Sequence, residues 1–351
     1  MKSIPAVSAL DESYRHQLVA PARITAHTDP AWAERCYHLL FVDEELMLDT
    51  GRAISPHTAR RKAFAGISTG REEHSLRVAE PVAPGDDPDR PDTGPVRIEV
   101  VEPLEEIRLV LDEPGFPVSF DLRYHARFAP VATEPNRIEV GGEVVTDYMN
   151  FFQSGLYSGT VVVDGAARTI SARAGFRDRG WGLRKHEGAP RRGLVLACMC
   201  ELPDSALYLL LYETASGRRA FTNGWLVDSS GVRDTVATAE HELELDGTLL
   251  RSGHVEVGFA SGAGGTLELE VRNRLFLSAV GYSADPAAAL PGSERHDLTD
   301  PQVVAALDGQ VDHGCRFRFD GEEGHGYVET GVGVHTRYRP EAQAITTSEG
   351  A

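Results

Sequence analysis

The feature that most constrains this chain is a two-residue hydrophobic period, repeated in short runs that glycine and proline interrupt. Phe120, Leu122, Tyr124, Ala126 and Phe128 alternate with Asp121, Arg123, His125 and Arg127, the pattern of a strand with one wet face. Leu267, Leu269, Val271, Leu275 and Leu277 repeat it against charged neighbours, and so do Cys315, Phe317 and Phe319 against Arg316 and Arg318. The run ALYLLLYE at 206–213 is apolar on both faces, which predicts a central strand. The 35 glycines and 20 prolines supply the turns that many short strands need. Helical turns are expected only over Pro21–Glu34 and Pro301–Leu307, the latter opened by an Asp cap and a first-turn proline.

The expected fold class is therefore all-β, with two tandem antiparallel barrels or sandwiches and few short helices. A chain of 351 residues has room for about two such domains. The expected division is 1–172, 173–340 and a disordered tail over 341–351. The polar stretch Ala83–Pro95 and the connection Ala284–Asp300 read as long loops, the kind that form lids or mobile edges.

A formal charge of −18, from 35 basic and 53 acidic residues, repels polyanions and disfavours nucleic acid or an anionic membrane as partner. The longest apolar stretches are too short to span a bilayer as helices, so no stable membrane insertion is expected. Four cysteines are too few for a disulfide framework and point to a reduced, cytoplasmic protein. His313, His325 and His335 are too widely spaced to suggest a metal site, and no nucleotide-binding glycine loop is present.

Chemistry concentrates in two stretches. The first runs from Gln153 through Tyr157 to Gly175-Phe-Arg-Asp-Arg-Gly-Trp-Gly-Leu-Arg184. Asp178 and Trp181 face opposite sides of an ideal strand, but Gly180 and Gly182 permit a bend that turns both into one cavity. Equally open is a structural role, with Asp178 and Arg184 pinning the bend and Trp181 plugging a barrel end. The second stretch, Gly324-His-Gly-Tyr-Val-Glu329, places Tyr327 and Glu329 on one strand face.

These blocks, together with LLYE and GWLVD, resemble the double-lipocalin superfamily of carotenoid 1,2-hydratase, fungal decalin-forming Diels–Alderases and other natural-product cyclases. The resemblance spans roughly residues 145–338. It implies two lipocalin-like antiparallel barrels or half-barrels with a substrate cavity at or near their junction, a hydrophobic small-molecule partner and no cofactor. The usual Arg-Asp-His-x-Trp-Gly motif is matched at Arg177, Asp178, Trp181 and Gly182, with Arg179 in the histidine's place. An arginine stays charged and cannot shuttle a proton near neutral pH.

On that basis the expected function is a cofactor-independent cyclase or isomerase, pericyclase chemistry included, acting on a polyketide or terpenoid. Hydration or dehydration of an isoprenoid alkene and non-catalytic carriage of a ligand are the alternatives. The expected catalytic residues are Asp178, Arg179 and Arg184. Trp181, Tyr157 and Tyr148 are expected to form an aromatic wall over the substrate, Gln153 and Glu329 to hydrogen-bond it or brace the junction, and no residue is assigned to a metal.

Overall fold

In the computed structural model, residues 6–340 are described apart from 17, 20–23, 26–28, 141, 186–192, 283–289 and 308. The segment 341–351, expected to be a disordered tail, lies outside them. The architecture is all-β, a closed eight-stranded barrel beside a larger sheet curled into a half-barrel. The larger sheet runs, edge to edge, through Gly292–Asp297, Glu72–Pro81, Arg60–Ser68, Leu46–Ser55, Trp32–Asp43, Ala166–Arg184, Glu143–Val163, Val118–Ala126, Glu106–Leu111, Val96–Glu102 and Asp92–Thr93. The barrel is formed by the strands between Leu194 and Val332, excluding Gly292–Asp297.

The two-residue period places side chains as anticipated. Phe120, Leu122 and Tyr124 are buried, whereas Asp121, Arg123 and His125 are exposed. Ser205–Glu213 is paired on both sides, by Leu194–Glu201 and by Arg219–Asp228. Its Leu207, Leu209 and Leu211 fill the barrel, while Ala206 and Tyr208 pack in a separate layer with Leu39, Phe41 and Phe176 of the half-barrel. That shared layer joins the two sheets and removes apolar surface of both from water.

Three expectations need correction. The strand Ala166–Arg184 continues past position 172, where its register with Glu143–Val163 shifts, so the change of sheet falls between Arg184 and Leu194. Gly292–Asp297 then returns from the C-terminal half to pair with Glu72–Pro81. The helical turn expected over Pro21–Glu34 lies partly outside the described residues, and its end is the start of the strand Trp32–Asp43. The connection 284–300 is likewise described only from residue 290, and most of that part is strand.

The helix at Pro301–Ala306 forms where its cap predicts it, with the Asp300 side chain accepting from the Gln302 N–H at 2.8 Å. The acidic loop at 83–95 is fastened rather than loose. Asp89 accepts from the Tyr14 N–H at 2.6 Å, and the guanidinium groups of Arg52 and Arg61 hold backbone carbonyls of Arg90 and Asp87. No helix of the described residues is long and apolar enough to cross a membrane, and all four cysteines are free and buried.

Candidate functional site

The strand Ala166–Arg184 lies between Glu143–Val163 and Trp32–Asp43, and its alternation separates two environments. Residues 177, 179 and 181 form the face that packs against the N-terminal segment. Residues 178, 180, 182 and 184 form the other, turned toward the barrel.

On the first face every charge is matched. Arg177 is 1% exposed and its guanidinium contacts both Glu12 oxygens, at 2.5 and 3.1 Å, and Gln153 Oε1, at 2.6 and 3.0 Å. Arg179 donates to Glu34 Oε2 at 2.6 Å and to the carbonyls of Ser13, Arg35 and Gly180, with Tyr14 beneath it at 4.0 Å. Trp181 stacks on His16 at 3.8 Å. Tyr157 is fully buried, donates to the Phe176 carbonyl at 2.9 Å and contacts His38 Nδ1 at 3.1 Å. Arg179, Trp181, Gln153 and Tyr157 thus stand outside the cavity described below, in bracing contacts.

The glycines do not bend the strand to bring Trp181 round to Asp178, and strict alternation holds. Gly180 instead makes room, since a Cβ there would lie 2.1 Å from the Tyr148 hydroxyl. At Gly182, with φ of +133°, a Cβ would lie 2.3 Å from the Asp147 carbonyl, so the neighbouring strand passes close.

The second face borders a cavity of about 210 Å³ between the half-barrel and the barrel, far above the roughly 10–15 Å³ that one water occupies. Asp178, Arg184, Tyr148 and Glu329 line it, the four expected site residues that the fold brings together. Aromatic and aliphatic groups supply most of the remaining wall. Phe152 stacks on Tyr208 at 3.9 Å, and Tyr208 on Trp225 at 5.4 Å, so residues of both sheets form one apolar wall.

Asp178 is enclosed by protein but faces the open cavity. Burial, reinforced by the charge of Glu329, pushes its carboxyl up to about 7 against the opposing pull of Arg184, Arg35 and an Asn150 hydrogen bond. Asn150 is oriented for that role because its Oδ1 accepts from Thr133 Oγ1 at 2.6 Å. Burial also raises Glu329, opposed by Arg184 and by Gln310, whose Nε2 donates to Glu329 Oε1 at 2.5 Å. Arg184 lies over the rings of Tyr148 and Tyr282, at 5.3 and 5.5 Å. The Tyr148 hydroxyl is buried with no hydrogen-bond partner among the described residues, and burial pushes it up to about 12, so it is available to a ligand as a neutral donor.

The cavity can therefore surround a hydrophobic molecule, meet one oxygen with Arg184 and Tyr148, and give or take a proton at Asp178. Tyr37, Arg35, Phe152, Tyr208 and Tyr212 also line it and were not anticipated. Tyr37 faces Asp178 across the strand pair, a relation that needs the register and has no local signature. Tyr208 and Tyr212 stood in the apolar strand ALYLLLYE, where their alternation with the barrel-filling leucines was the available signal.

Two other features lie outside the cavity lining. Glu201, pushed up to about 7 by burial, bridges the sheets by accepting from Ser154 Oγ at 2.8 Å and Arg127 Nη1 at 2.6 Å. Glu72, His74 and Asp164 are the one group of described residues whose metal-ligating atoms converge, within 4.8 Å. Glu72 there already accepts from Arg295 through both oxygens, at 2.6 and 2.7 Å.

The fold is that of the double-lipocalin proteins that the motifs resemble. An AttH-type protein from Nitrosomonas europaea superimposes with a TM-score of 0.58 at 14% identity, over 90% of this chain and 97% of that one. Kievitone hydratase from Nectria haematococca superimposes with a TM-score of 0.55, also at 14% identity, over 94% of each chain. Among curated proteins none matches the sequence. A family model does match, over residues 7–283, and the chain belongs to that family, the family of unknown function DUF8625.

Proposed function

We propose that the protein is an enzyme that isomerises or cyclises a hydrophobic small molecule of polyketide or terpenoid type by proton transfer in the junction cavity, without a cofactor. The observation that carries this reading is Asp178, a carboxyl held near neutrality inside a largely apolar cavity beside a permanent cation. A carboxyl that titrates near working pH serves as either acid or base. Arg184 and the Tyr148 hydroxyl polarise a carbonyl or enolate oxygen, and their fixed positions mean that little reorganisation accompanies the developing charge. The apolar walls hold a flexible chain folded for reaction.

Arg179 has no place in this mechanism, because its guanidinium is spent on Glu34 and three carbonyls. The same carboxyl supports a second reading, hydration of an alkene, with Asp178 as the acid. The structural likeness to kievitone hydratase is compatible with either reading.

Incubating the purified protein with linear polyenes bearing one carbonyl and with isoprenoid alkenes, in water enriched in heavy oxygen, separates the readings by mass spectrometry. Isomerisation or cyclisation adds no water and changes the mass by carbonyl-oxygen exchange at most, whereas hydration gives a product heavier by one labelled water. Tight binding with every substrate recovered unchanged would identify a carrier and overturn the enzymatic reading.

A further inference from the structure

Beneath the cavity lies a second group of buried acids that the reading above leaves unused. Asp49, on Leu46–Ser55 of the half-barrel, and Asp312, on Gln310–Phe319 of the barrel, are both 0% exposed. The Tyr37 hydroxyl lies between them, 3.3 Å from Asp49 Oδ2 and 3.1 Å from Asp312 Oδ2. Tyr327, from the Gly-His-Gly-Tyr-Val-Glu stretch, donates to the other Asp49 oxygen at 3.0 Å. Asp312 Oδ1 has no partner among the described residues. Asp312 also faces Glu329 across its strand pair, so a third carboxyl is its neighbour.

The groups acting most strongly on the two aspartates are acids and phenols. Burial raises both, and Glu329 adds to the effect on each; Tyr37 and Tyr327 stabilise the Asp49 charge, and Tyr37 that of Asp312. Glu73, itself buried and raised, is a further acid that senses Asp49. Two carboxyls this close in a buried junction do not both ionise, so the pair retains a proton and leaves one carboxylate to accept another.

Tyr37 connects this pair to the cavity. It lines the cavity and faces Asp178 across the pairing of Trp32–Asp43 with Ala166–Arg184, while its hydroxyl touches both buried aspartates. We propose that Asp49 and Asp312 form a proton store and that Tyr37 is the group that exchanges protons between this store and a molecule in the cavity. The inference rests on the reading of the cavity as a proton-transfer site.

The step conserves protons. The phenolic oxygen takes a proton from one atom of the substrate as the Tyr37 hydroxyl proton passes to the free carboxylate of the pair. Reversal delivers a proton to another atom of the same molecule, and the protein ends as it began. Such a device suits an isomerisation, whose removed and added protons balance, and it works beside Asp178 without consuming a co-reactant.

Infrared spectroscopy of the purified protein tests the store and its outlet without a substrate. At pH 7 the difference between wild type and Asp312→Asn contains a protonated carboxylic-acid band, and Asp49→Asn removes the same band. On transfer to heavy water this band shifts in the wild type, and Tyr37→Phe keeps the band but slows its shift at least about tenfold, because exchange then awaits local opening. Loss of no acid band in either aspartate variant, or equal exchange rates with and without the Tyr37 hydroxyl, overturns the proposal. Turnover by wild type and Asp178→Asn reports separately on the enzymatic reading, so failure of one is distinguishable from failure of the other.

Discussion

Asp178→Asn is expected to reduce turnover by about 10²–10⁴-fold, the usual contribution of a positioned acid–base group, and at the same time to stabilise the protein above neutral pH. The folded-state value, about 7, lies above the ordinary 3.8, so the native state binds the proton more tightly than the unfolded chain. Stability contributed through this group is complete below about pH 4 and lost as pH rises toward 7. The full interval corresponds to roughly 4 kcal/mol, and the opening of Asp178 onto the cavity reduces the expected gain for the asparagine variant to about 1–3 kcal/mol at pH 8. Chemical denaturation at pH 4 and pH 8 checks it, since the gain should appear at pH 8 and vanish at pH 4. A variant with full turnover, or one destabilised equally at both pH values, would place Asp178 among the structural acids.

Arg177→Met, one position away on the same strand, is expected to do the opposite. It leaves Glu12, 7% exposed, and Gln153 Oε1 without their guanidinium partner in the half-barrel interior. Removing one partner of a buried pair costs about 3–5 kcal/mol, because the remaining charge stays desolvated. The cavity face is untouched, so affinity for an apolar ligand is retained at denaturant-free conditions where the variant is folded. Equilibrium denaturation paired with ligand titration separates the outcomes. A large loss of affinity with unchanged stability would contradict the division of the strand into a bracing face and a cavity face.

That division shows how far the sequence was readable. Period two identifies which residues share a face, so the fold class, the buried face of Val118–Ala126 and the central position of Ser205–Glu213 followed from it. The opposite orientations of Asp178 and Trp181 also followed from it, and the bend expected at Gly180 and Gly182 was the departure that did not occur. Those glycines answer to neighbours, the Tyr148 ring and the Asp147 carbonyl, whose positions depend on the register with Glu143–Val163.

Alternation does not give register or strand order. Tyr37 opposite Asp178, Glu34 beneath Arg179 and Asp49 against Asp312 join residues more than a hundred positions apart, and no local spacing encodes such contacts. Arg179 attracted attention as a replacement within a motif, whereas its partners show why a strong cation is held there. It fastens the N-terminal segment through Ser13 and the first strand of the half-barrel through Glu34.

The protonation of Asp178 is the point on which the functional account turns. An isotope-edited NMR titration of aspartate side-chain carboxyl carbons, with Asp178→Asn identifying the signal, measures it directly. A midpoint near pH 7 is the result this account predicts. A midpoint at or below the ordinary value of 3.8 would mean that Arg184 and Arg35 outweigh burial, leaving a fixed carboxylate that holds the junction together and donates no proton at neutral pH.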